Sequence, residues 1–91
     1  MTAPTAEAAY RTAMDRMHGP MMQGAANADP DAAFVLGMIP HHQGAVDMAE
    51  IVLKFGKDPR NQHFAREIIN TQTREINEMR EWLKRKKIEQ P

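Results

Sequence analysis

Apolar residues recur along this chain at intervals of three and four, and alternation of period two is almost absent, so the pattern predicts helices and no sheet. Tyr10, Met14, Met17 and Met21 fall within roughly 60° of one another on a helical wheel. Arg11, Asp15 and Arg16 fall off that stripe, which predicts a first helix over about residues 5–23, with residues 1–4 disordered. Gly19-Pro20 interrupts it, because Pro20 has no N–H to bond Arg16, and is expected to set Met21 and Met22 on a kinked or separate turn. Residues 24–30 read as a stop and a turn, with Asp31 the expected N-cap of a second helix over residues 31–55.

That second helix carries two adjoining stripes. Phe34, Met38, His41, Ala45, Met48 and Val52 form one, and Val35, Ile39, Val46 and Leu53 the other, so two neighbours are expected to pack on it. Pro40 should kink it just before His41-His42, and Gly56 is placed to end it in the left-handed conformation. A third helix is expected after Asp58-Pro59, over residues 59–87, with Phe64, Ile68, Ile76, Met79, Trp82 and Leu83 inward. The short link between the last two makes them an antiparallel hairpin, and the whole an all-α, three-helix antiparallel bundle in one domain. The third helix outreaches the first, which leaves part of the long pair uncovered and favours a homo-oligomer, most simply a dimer.

Composition narrows the function. Twelve Lys and Arg balance twelve Asp and Glu, and aromatic residues make up 5%, so neither a basic field nor a stacking platform for nucleic acid is expected. The balance hides a division: residues 1–53 carry two basic and six acidic side chains (−4), and residues 54–91 ten and six (+4). The basic cluster from Arg80 to Lys87 compensates a helix C-terminus. No apolar run is long enough for a membrane span, and Thr2-Ala3-Pro4-Thr5-Ala6 is not an export signal, which reads as a cytosolic chain or one whose signal has been removed. Eight Met and no Cys are the unusual counts. They exclude disulfides, thiolate catalysis and Cys-type zinc sites, and leave thioethers as the sulfur chemistry.

The candidate chemistry centres on Met38-Ile39-Pro40-His41-His42-Gln43-Gly44-Ala45-Val46-Asp47-Met48-Ala49, where two imidazoles face inward after the kink. Gln72 and Glu75 lie on the apolar stripe of the third helix, a costly place for an amide and a carboxylate without partners. In an antiparallel hairpin Met79 approaches Met38, Glu75 lies level with Pro40-His41, and Gln72 with Gln43, so that Glu75 could accept an imidazole N–H and orient the ring. The first helix brings Met14, Met17 and His18 toward the level of Met38, with Met21 and Met22 just beyond. Thioether and imidazole together suit Cu(I), with Ag(I) as a second soft cation, and suit Zn, Mg, Ca or Mn poorly. A di-iron centre would need Glu-x-x-His elements that the chain lacks, so no enzyme is expected. Two groups of ligands follow, since seven helical residues span roughly 10 Å: one of Met38, His41, His42 and Met79 with Met17 or Met21, and one at Met48 that another subunit completes. His18 is a further candidate ligand.

Each residue also has a plainer reading. Met is a common core filler, above all at Met14 and Met48, and His63 reads as a surface residue. A hydrogen bond from His41 or His42 to Glu75 requires no metal. The competing function is therefore a structural or interaction module whose Met-rich faces form a dimer seam.

Phe34, the run from Met38 to Ala45, Met48-Ala49, and Gln72-Thr73-Arg74-Glu75-Ile76 with Met79 resemble the family known as domain of unknown function 305. The resemblance implies a ferritin-like helical fold, export to the periplasm, and copper binding linked to copper tolerance. It would assign metal contact to Met38, His41, His42, Met48 and Met79, with Gln72 and Glu75 in support. A protein that donates copper to it or accepts copper from it is the implied partner.

Overall fold

The computed structural model describes residues 5–90; residues 1–4, expected to be disordered, lie outside them, as does Pro91. Three helices follow one another with no strand among the described residues: α1 (Ala6–Ala25), α2 (Pro30–Phe55) and α3 (Pro59–Arg85). Each opens on a side-chain cap that satisfies N–H groups left free by the first turn. Ala8 N–H donates to Thr5 Oγ1 at 3.1 Å, Asp31 N–H to Asp29 Oδ1 at 3.0 Å, and Arg60 and Asn61 N–H to Asp58 Oδ1 at 2.8 and 3.2 Å. Asp29, not Asp31, thus caps α2. Pro30 takes the next position, where its missing N–H costs nothing.

Two other expectations are corrected. Gly19-Pro20 does not divide α1, which runs unbroken to Ala25. Gly19 has no Cβ to clash with the following proline ring, so the helix passes through with one hydrogen bond missing. Gly56 is extended (φ −79°, ψ 162°) rather than left-handed, and Gln62 Nε2 donates to its carbonyl at 3.1 Å. The left-handed residue lies instead after α3. Lys87 adopts φ 56°, and Ile88 N–H reaches back to Leu83 O at 2.9 Å, closing the helix while Ile88 packs on the core.

The bundle is open. α1 and α3 each pack antiparallel on α2, and among the described residues they do not pack on one another. The molecule measures 42 × 29 × 17 Å. Its main cluster, Ala32, Val35, Leu36, Ile39, Ile76 and Leu83, joins α2 to α3, with Met79 and Trp82 against it. The α1–α2 seam is built from small residues. A Cβ on Gly24 would collide with the Leu36 carbonyl, a Cβ on Gly44 would overlap the Met17 thioether, and one on Gly37 would sit 3.6 Å from Ala25 Cβ. Gly37 and Gly44 lie seven residues apart on one side of α2, which is what lets α1 approach so closely.

A candidate metal-binding region beside Pro40

Pro40 gives this part of α2 its character. It cannot donate to Leu36, so the Leu36 carbonyl is free of its helical bond and one Hα of Gly24 points at it. Two residues later His42 turns toward α3, where its Nε2 lies 2.6 Å from Glu75 Oε2. A carboxylate only accepts, so in the neutral ring the proton is on Nε2 and Nδ1 keeps its lone pair. That Nδ1 is buried and has no hydrogen-bond partner. A buried nitrogen lone pair without a donor is costly in a core and is the form in which imidazole ligates a metal.

Around the pair, Met38 lies one turn back from His42 on α2 and Met79 one turn on from Glu75 on α3. Because these helices are antiparallel, the two thioethers belong to the same stretch of the seam, and both are half-buried, as is Gln72. Glu75 was expected level with Pro40-His41; it meets His42, one to two residues further on.

The α1 methionines expected as ligands lie on the other flank. Met17 is half-buried with its thioether over Gly44, and Met21 falls level with Pro40, between that contact and the one of Gly24 with Leu36. Met17 was expected near Met38; continuation of α1 through Pro20 and the tight turn after Ala25 move it about two turns along α2. His42 and Glu75 therefore meet at the α2–α3 seam, with Met38 and Met79 each one turn from that pair, and Met17 lies at the α1–α2 seam.

Several residues expected to face inward are open to solvent. His41 is exposed, with its ring centroid 6.1 Å from that of His42. Met14 (48%), Phe34 (63%), Met48 (43%), Phe64 (52%) and Ile68 (39%) are exposed because no third neighbour covers their side of the layer. His18 and Met22 are exposed as well, and His63 stands at the surface 3.1 Å from Glu67. Among the described residues no three His, Asp or Glu side chains converge on one point. A cation held here would have to draw on sulfur.

The sequence reading missed the glycine seam and the apolar groove of Tyr10, Met48, Val52, Phe64 and Ile68. The heptad spacing of Gly37 and Gly44 was the available sign of the first. For the second there was none, since a wheel shows which residues align and not whether anything covers them.

Comparison with known proteins agrees with the motif. The model of the family described as domain of unknown function (DUF305) matches residues 1–83. An uncharacterized protein of Acanthamoeba polyphaga mimivirus is 41% identical over 59 residues, which is 65% of this chain and 39% of that protein. The match thus spans well under half the length of that curated relative.

Proposed function

This chain belongs to the DUF305 family, and we propose that within it the protein binds Cu(I), with Ag(I) as an alternative soft cation, to sequester the ion or pass it to another protein, without turnover. The observation that carries this reading is the buried, unpartnered Nδ1 of His42, on a ring held through Nε2 by Glu75. An oriented imidazole with a bare lone pair is half of a soft-metal site. Met38 and Met79, one turn away on either helix, supply neutral sulfur, which favours Cu(I) over hard divalent ions. His41, exposed beside His42, is placed to take an ion from solvent or from a partner. The donor set contains no thiolate, so an oxidising environment would not close it by disulfide formation.

The test is anaerobic titration of the metal-free protein with Cu(I) against a chromophoric competing chelator, with Zn(II) and Mg(II) as comparisons. Competition by Cu(I) alone is expected. Replacing His41 and His42 together by Ala should weaken it at least tenfold, and so should Met38→Leu with Met79→Leu, which keeps side-chain volume and removes the sulfur. No competition at all, or affinity unchanged in both variants, would overturn the proposal.

A further inference from the structure

α2 is covered on two flanks and bare between them. Phe34, Met38, His41, Ala45, Met48 and Val52 recur every three or four residues and so share one side of the helix. Tyr10 of α1 and Phe64 and Ile68 of α3 border that side in one open groove. Met14, a turn beyond Tyr10, extends it. The opposite side of the layer is mixed: Arg16, Asp47, Glu50 and Lys54 stand beside Ala13, Ile51 and Phe55 in one depression, and Gln23, Gln43 and Arg80 beside Leu36 and Ile39 in another. Charged side chains line the second side of this layer of helices and are absent from the groove on the first.

We infer that a second copy of this chain covers the apolar face, layer upon layer across a two-fold axis. A helical layer buries its apolar stripe only against another layer, and this chain supplies one. Its interior is correspondingly thin, with Leu83 the largest side chain that is fully buried. Five of the six large apolar side chains that are exposed, Met14, Phe34, Met48, Phe64 and Ile68, lie on or beside this face, a concentration that marks an interface rather than scattered surface residues. Its occupant must be apolar, nearly free of charge and as long as α2. The same face of another copy meets all three conditions, and a two-fold contact pairs a surface with itself. Each copy then presents Met38, His41 and Met48 to the other. Their use as ligands shared between the copies rests on the copper reading, whereas the dimer does not.

Sedimentation equilibrium of the full chain, kept metal-free with a chelator at tens of micromolar, separates the outcomes. A species of twice the 10.3 kDa chain mass is expected. Met48→Glu and Phe64→Glu, at half-exposed positions on either side of the groove, should each weaken association at least tenfold, with helicity checked by circular dichroism. Glu50→Ala, on the charged side, should leave it unchanged. A monomer throughout, a dimer indifferent to both groove substitutions, or one broken equally by Glu50→Ala would overturn the inference. So would a monomer that floats with phosphatidylcholine vesicles, which would put a lipid surface on this face instead. Because metal is excluded, the result is independent of the copper titration.

Discussion

Gly24 and Leu36 touch backbone to backbone. The Leu36 carbonyl, freed by Pro40, occupies the space that a Cβ on Gly24 would need. Backbone cannot swing aside as a side chain can, so Gly24→Ala must part α1 from α2. A loss of about 3 kcal/mol is expected. Gly37→Ala, at ordinary contact distance from Ala25, should instead gain about 0.5 to 1 kcal/mol from helix propensity. Urea denaturation of the two variants would show opposite shifts of midpoint at equal slope, and shifts of the same sign would contradict the seam described above.

Gly44 meets Met17 through a flexible thioether rather than through backbone. Gly44→Ala should therefore cost only about 1 kcal/mol, as Met17 changes rotamer. The effect should shrink in a Met17→Ala background, where nothing remains to collide. A double-mutant cycle on unfolding free energy reads this coupling, and additive effects would show that the two residues do not touch.

His42 and Glu75 form the one polar link across the α2–α3 seam that joins a ring nitrogen to a carboxylate among the described residues. Glu75→Ala leaves both ring nitrogens of His42 without a protein partner. Since the Glu75 side chain is 39% exposed, water replaces part of what is lost, and about 1 kcal/mol of destabilisation is expected. In a His42→Ala background the same substitution should have little effect on the thermal midpoint.

Lys87 holds a left-handed conformation that strains a side chain bearing a Cβ. Lys87→Gly should stabilise the protein by about 1 kcal/mol, raising its melting temperature by roughly 4 to 8 °C for a domain of this size. Lys87→Val should lower it, and a neutral result for both would mean that the residues after α3 do not hold this closure in solution.

The helices and the antiparallel order were legible because apolar spacing, Asp58-Pro59 and the short links each speak locally, whereas the N-cap of α2 was read two residues late because Pro30 was assigned to the turn. So was a partnership of Glu75 with one of two imidazoles, since a carboxylate on an apolar stripe must find a donor. Position along a seam was harder to read. The level of Met17 depends on whether α1 survives Pro20, and that turns on a glycine whose lack of a side chain relieves the clash. Exposure was misread at Met48 and Phe64 for a related reason: periodicity assigns a direction, and burial requires a neighbour that only the tertiary arrangement supplies. Gly56 misled because a glycine after a helix admits more than the left-handed ending.

The lack of contact between α1 and α3 makes α2 the limb shared by two hairpins. Either hairpin can persist without the other, so opening need not be all-or-none. α1 buries only Ala13 and Gly24 fully, while the α2–α3 seam holds the larger aliphatic cluster. α1 is accordingly the segment whose amides should exchange first, in a hierarchy of partial openings that precedes global unfolding. Each such opening would bare the second flank of α2 and carry Met17 and Met21 away from Pro40, while His42 and Glu75 stayed paired.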